Sequence, residues 1–232
     1  QVGGVETDMH CVRHGGAVSP IVVHLRSAGV SAVVELPDDA PPAVLHWGDD
    51  LGPITPAELT ELAAAVAPQW HNNGPDVAVR VGMLPEGRTG WTGTPGLRGH
   101  RGGDAWSSQF RTTGHDVDGG LLTAHCTDPA AGLDLRLELD LLGSGLLRTR
   151  ATLTNRGPGP FALDQLDLAL PVPAVATEIL DQAGRWARER APQRRAVTVG
   201  THLRENRRGR TGADAVTVLL AGQAGFGFGS GE

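Results

Sequence analysis

The chain has 232 residues, 40% of them hydrophobic, and a formal net charge of −6, which allows one large domain or two small ones with a real core and excludes a disordered polymer. All 20 basic residues are arginine and tyrosine is absent, so Schiff-base chemistry, a phosphate-loop lysine and tyrosine acid/base roles are excluded from these residues. No apolar stretch approaches a membrane span, and Cys11 and Cys126 form no C-x-x-C pair, which argues against a zinc ribbon or disulfide framework and for a reducing, cytoplasmic setting.

The first residues, QVGGVETDMHCVRH, lack the basic-then-apolar layout of a signal peptide and start on glutamine. They read as the poorly ordered beginning, over 1–20, of a processed, trimmed or incomplete chain, with the folded domain expected over 21–232. His10, Cys11 and His14 have the residue types of a metal cluster, but no further ligands stand nearby and a surface segment is the simpler reading.

Ile21 to Leu25 and Val30 to Leu36 are rich in β-branched residues and flank Ser27-Ala28-Gly29, which predicts a hairpin. Ala43 to Gly48 predicts a third strand, bounded by Pro41 and Pro42 before it and GDDLG after it. In TPAELTELAAAVAP, Thr55 caps a helix, Pro56 suits its first position, Glu58 completes a capping box and Pro68 marks the stop. Leu59, Leu62 and Ala63 then share one helix face.

Residues 83–103, MLPEGRTGWTGTPGLRGHRGG, hold seven glycines and no sustained period. Loops of this length inside a strand-rich domain are often functional. Trp91 is flanked by glycines and has little near it in sequence to bury it. An indole stacks on the apolar face of a sugar ring, so Trp91 is a candidate carbohydrate contact; the alternative is a loop pinned by packing that ring into the domain. Trp47, Trp70 and Trp106 lie nearer strands or turns, where core packing is expected.

Leu133 to Leu141 alternates apolar and charged residues strictly, placing five leucines on one strand face. Asp134, Glu138 and Asp140 on the other face read as a solvated surface rather than as the carboxylate pair of a glycosidase. Leu146 to Thr154, Phe161 to Leu170, Ala215 to Ala221 and Gly225 to Gly229 continue in short runs with turn-length links. The whole predicts an all-β antiparallel sandwich with one or two short helices.

GRWARERAPQRR (184–195) and THLRENRRGRT (201–211) together hold nine arginines. Nucleic acid is disfavoured by the acidic chain, by Glu189 and Glu205 within the clusters and by the lack of an aromatic-interleaved module. Arginine's planar fork suits carboxylates, so the clusters join loops, hold an adjoining domain, or form a solvated face.

Five motifs occur in order: LHWGDDLG (45–52), MLPEGRTGWTGTPGLRGHR (83–101), GRWARERAPQRR (184–195), THLRENRRGRTGAD (201–214) and GFGFGSGE (225–232). Together they resemble the N-terminal region of bacterial α-galactosidases of glycoside hydrolase family 36, over nearly the whole chain from about residue 20. The resemblance implies a galactose-mutarotase-like antiparallel β-supersandwich, followed in family members by a (β/α)8 barrel and a small C-terminal β domain. It implies retaining hydrolysis of terminal α-galactosides such as melibiose or raffinose, with no cofactor and no metal. Both catalytic aspartates of the family lie on the barrel, so no catalytic residue is assigned here and these residues alone are expected to be inactive.

The family's N-terminal domain lends a rim loop to the galactose pocket, in some members across a subunit boundary. By resemblance that loop is 83–101, with Trp91 facing sugar and His100 and Arg101 behind it. Trp186, Arg188, Glu189, Arg207, Arg208 and Arg210 match the part that faces the barrel. Implied partners are the barrel, an α-galactoside and a second copy in a homo-oligomer, with no nucleic acid or membrane. The competing class is a free-standing carbohydrate-binding or interaction module, which predicts galactoside binding without a barrel.

Overall fold

The computed structural model describes residues 6–10, 13–14, 17–18, 20–69, 72, 80–205 and 215–227. The chain divides into two compact units, Gln1–Pro171 and Val172–Glu232.

In the first unit, strands β1 (Glu6–His10), β4 (Ile21–Ser27), β5 (Val30–Leu36) and β6 (Ala43–Asp49) form one antiparallel sheet in the order β1-β4-β5-β6. Two-residue strands β2 (Arg13–His14) and β3 (Ala17–Val18) pair with each other. The predicted hairpin is β4–β5, with Ile21 opposite Leu36 and Ser27 opposite Val30. Its turn has Ala28 at φ 48° and Gly29 at φ 78°, the double left-handed geometry that matches the twist of paired strands.

Both faces of this sheet are covered, which explains the unbroken apolar runs. Val23, Leu25, Ala32, Val34 and Leu36 enter the main core, while Val22 and Val33 pack with Leu59 of helix α1 (Pro56–Ala65). The helix begins as its sequence dictates: Thr55 and Glu58 form the reciprocal capping box and Pro56 takes the first turn. Its C-terminal end has no basic residue of its own. Arg80 supplies the cation, donating to the carbonyls of Val66 and Ala63 at 2.8 Å each and pairing with Glu35 of β5 at 2.7 Å.

The second sheet runs β11-β10-β9-β8, made of β8 (Arg111–Asp118), β9 (Leu121–Asp128), β10 (Leu133–Leu141) and β11 (Leu147–Asn155). The five leucines of β10 are at most 1% exposed and share the main core with the first sheet, around Phe110 at 0%. Each contributes about 2 kcal/mol of transfer free energy. On the opposite face, register sets Asp140 against Arg148 and Glu138 against Arg150, and Arg156 Nε reaches Asp134 at 2.8 Å. The charged face is therefore solvated and also paired across strands.

A short pair, β7 (Leu97–His100) with β12 (Ala162–Leu166), closes the first unit. Strand β7 lies inside the predicted loop. Gly99 explains why the sequence concealed it: a Cβ there would stand 2.5 Å from the Ala162 carbonyl oxygen and 2.5 Å from the Phe161 ring, so close approach rather than strand propensity selects the residue.

The second unit is a three-stranded antiparallel sheet, β14-β13-β15, made of β13 (Glu178–Arg185), β14 (Arg188–Ala196) and β15 (Ala215–Gly222). The first arginine cluster is thus the tip and returning strand of a hairpin. The run expected as a strand after Ala221 instead turns at Gly225, φ 81°, and residues 228–229 lie outside the described residues.

Candidate functional site

The glycine-rich loop is anchored at its base by a buried acid. Glu86 is 2% exposed; its Oε1 accepts from the Phe110 backbone N–H at 2.9 Å and its Oε2 from Arg88 Nε at 3.0 Å. Burial raises the Glu86 carboxyl above its ordinary value, against the pull of those donors and of Ser108. Arg88 goes on to donate to the carbonyl oxygens of Asp39 and Phe110. A single 3-10 turn, Gly87–Thr89, follows and ends on Gly90 at φ 82°, a left-handed position that glycine alone adopts without strain.

Trp91 comes directly after that turn and is 40% exposed. Its ring lies back over Gly93, where an added Cβ would fall 2.5 Å from the indole, and its Nε1 donates to the Thr94 carbonyl at 3.0 Å. The loop then closes through Gly96 N–H to the Pro85 carbonyl at 2.8 Å. One edge of the indole is used inside the loop and a large part of the ring remains open to solvent.

His100 ends β7, exposed, with Nδ1 accepting from the Gly103 N–H at 3.1 Å. Arg101 behind it is committed to the protein. Its guanidinium donates to the carbonyls of Pro158, Gly159 and Ala131 and to Asn155 Oδ1, at 2.7 to 3.0 Å, and lies across Gly157 and over the Phe161 ring. It ties three loops together at the base of the segment that carries Trp91 and His100.

The preceding motif, LHWGDDLG, is built round Asp50. Arg26 grips its carboxylate with both donors, at 2.8 and 2.7 Å, Ser31 donates at 2.9 Å and the Gly52 N–H at 3.1 Å. The Arg26 fork first, then Ser31, holds Asp50 far below the ordinary carboxylate range. Asp50, within the GDDLG that follows the third strand, is the junction between β4, β5 and the chain leaving β6.

The expectation of core packing for Trp47 and Trp106 is corrected. Trp47 is 37% exposed and Trp106 74% exposed. Trp47 lies on β6, the last strand of its sheet, which has a neighbour on one side only. Trp106 sits in the irregular stretch before β8, with no strand or helix to turn its ring inward. Trp70 lies outside the described residues.

On the arginine hairpin, Trp186 is 89% exposed at the tip, between Arg185 and Ala187, and Arg188 and Glu189 are exposed beside it. Ala187 and Arg190 hold φ of 61° and 55°, and Glu189 Oε1 accepts from the Ala187 N–H at 3.0 Å. Other arginines are used locally: Arg194 pairs with Glu178 and covers the Phe226 ring, and Arg204 grips the buried Asp181 alongside His202. Arg207, Arg208 and Arg210 lie outside the described residues, as do Cys11 and the side chains of His10 and His14. Among the described residues no group of three or more metal-ligating side chains occurs, and no helix is long and apolar enough to cross a membrane.

The model of the glycosyl hydrolase family 36 N-terminal domain matches residues 40–232. The chain belongs to the family of glycosyl hydrolase family 36 N-terminal domains. This family 36 domain is 33% identical over 189 residues to an α-galactosidase of Escherichia coli, covering 82% of the chain and 26% of that relative. Its fold matches the α-galactosidase AgaA of Geobacillus stearothermophilus, solved in complex with raffinose, with a TM-score of 0.72 at 17% identity, covering 87% of the chain and 32% of AgaA. The α-galactosidase of Lactobacillus brevis matches with a TM-score of 0.69 at 13% identity, over 89% of the chain and 31% of that protein. The family 36 domain thus spans about a third or less of each of these relatives.

The Glu86–Arg88 anchor was not legible in the sequence. An acid two residues before an arginine in a glycine-rich stretch carries no mark of burial.

Proposed function

We propose that this chain is the N-terminal β domain of an α-galactosidase that removes terminal α-linked galactose from oligosaccharides such as raffinose or melibiose. The observation that carries the reading is the 33% identity to the Escherichia coli α-galactosidase along most of the chain, within the family match. Hydrolysis with retention needs two carboxylates flanking the glycosidic bond, which this reading assigns to the barrel. No cofactor is required by that chemistry, and the cytoplasm is the proposed compartment.

Within the enzyme the loop 83–101 contributes to the rim of the sugar pocket. Trp91 offers its open indole face to a galactose or glucose ring, and His100 offers an exposed imidazole at the end of the same segment. Arg101 acts from behind, holding the loop's base. The hairpin tip with Trp186, Arg188 and Glu189 forms the docking face toward the barrel, joined by Arg207, Arg208 and Arg210. An exposed Trp beside arginines is the composition of a surface that a partner buries.

The test is to read the gene beyond residue 232 and assay the complete product with raffinose. The reading expects a continuing frame that encodes a barrel and a product that releases galactose. A complete product ending near Glu232 that binds galactosides without cleaving them would replace it with a free-standing binding module.

A further inference from the structure

Trp91 cannot aim itself. Its ring bonds within its own loop, to Thr94 and over Gly93, so its direction relative to the rest of the domain depends on how the loop's two ends are fixed. A segment with this many glycines gains much backbone freedom when released. One end is held at Gly96, whose N–H donates to the Pro85 carbonyl and whose carbonyl accepts from the Asp167 N–H at 2.7 Å. The other is held by Glu86, whose two oxygens take different donors: the N–H of Phe110, a residue with no exposed surface, and Arg88 Nε, which belongs to the loop itself. Arg88 in turn reaches the Asp39 and Phe110 carbonyls. A carboxylate buried to 98% is an expensive way to gain stability, because desolvation offsets the pairing. What it supplies instead is a fixed origin for the turn that precedes Trp91.

We propose that Glu86 is a positioning residue that sets the direction of Trp91 through Arg88 and the 87–89 turn. This inference rests on the rim-loop reading above, in which Trp91 meets the sugar. Glu86→Gln keeps the shape but puts an NH2 donor where one oxygen stood, so either the Phe110 N–H or Arg88 Nε faces a donor instead of an acceptor. The loop keeps its closure at Gly96 and its buried flanks Leu84 and Leu97, and loses one of the two Glu86 bonds that fix the 87–89 turn.

The experiment is a double-mutant cycle in the complete protein, with raffinose as substrate, on wild type, Glu86→Gln, Trp91→Ala and the double variant. Each single change is expected to raise KM about 10-fold with kcat within about 2-fold, and Glu86→Gln is expected to add nothing once Trp91 is gone. If Glu86→Gln does not yield folded protein, Arg88→Gln takes its place, since Arg88 is partly exposed and cuts the same link. An unchanged KM in the Glu86 or Arg88 variant, or KM effects that multiply in the double variant, overturns the proposal while leaving Trp91 as a sugar contact. An unchanged KM in Trp91→Ala, or no turnover by the complete wild-type protein, overturns the rim-loop reading and this proposal with it.

Discussion

Arg101 shows how one side chain can tie together the base of a candidate site. Four acceptors share its guanidinium, the Ala131 carbonyl on one side and Asn155, Pro158 and Gly159 on the other, and the Ala131 and Pro158 carbonyls lose their charged donor outright if it is removed. Arg101→Ala is expected to destabilise the chain by about 3 kcal/mol, the scale of leaving several carbonyl groups without their charged partner. Arg101→Lys restores little of this, because an ammonium cannot reproduce the planar fork. Urea unfolding followed by circular dichroism measures both. Trp91→Ala is expected to cost under about 1 kcal/mol by the same method, since the ring packs on its own loop and not in the core. Tryptophan was the residue type the sequence served least well. Local sequence marks Trp91 as hard to bury, but it cannot reveal that Trp47 lies on an edge strand or that Trp106 lacks a regular element.

Elements were legible where pattern and geometry agreed. The alternation of Leu133 to Leu141, the capping box of α1 and the hairpin turn at Ser27 to Gly29 each have a local cause and appear as expected. Strands β13 and β14 were not legible, because β14 is exposed along almost its entire length and includes Pro192, so it carries neither alternation nor an apolar run. Strands β8 and β9 also went unassigned, and β7 was hidden by its glycine. At the hairpin turn, Ala28 occupies a left-handed conformation that costs an alanine about 1 kcal/mol. Ala28→Gly or Ala28→Asn is therefore expected to raise stability by roughly 0.5 to 1 kcal/mol, read as an increase in the urea midpoint.

The second unit carries a pH-sensitive tie. Arg204's hydrogen bonds first, then that of His202, hold the buried Asp181 carboxyl down at about 2, against an ordinary 3.8 and against the opposing effect of burial. A depressed carboxylate stabilises the fold fully above its unfolded value and loses that contribution as pH falls through the folded one. The window is therefore pH 4 to 2, with about 2 kcal/mol at stake. Asp181→Asn is expected to be less stable than wild type at pH 6 and to show a smaller further loss between pH 4 and 2. Equal acid sensitivity of the two proteins would show that the tie contributes nothing.

At the scale of the whole molecule, the first unit is a two-sheet sandwich with a helix on its outer face, and the second is a small sheet whose hairpin presents charge and one tryptophan to solvent. Three of the five ordered motifs sit at constrained places among the described residues: a sheet junction at Asp50, a tethered loop at Glu86 to Arg101 and a hairpin tip at Trp186. In the proposed function the carboxylate pair of glycoside hydrolysis belongs to the barrel. The most direct measurement is galactose release from raffinose by the 232-residue chain and, side by side, by the complete gene product. Turnover by the complete product and none by the 232-residue chain is the expected result. Turnover by that chain alone, or a complete product that leaves raffinose intact, would contradict it.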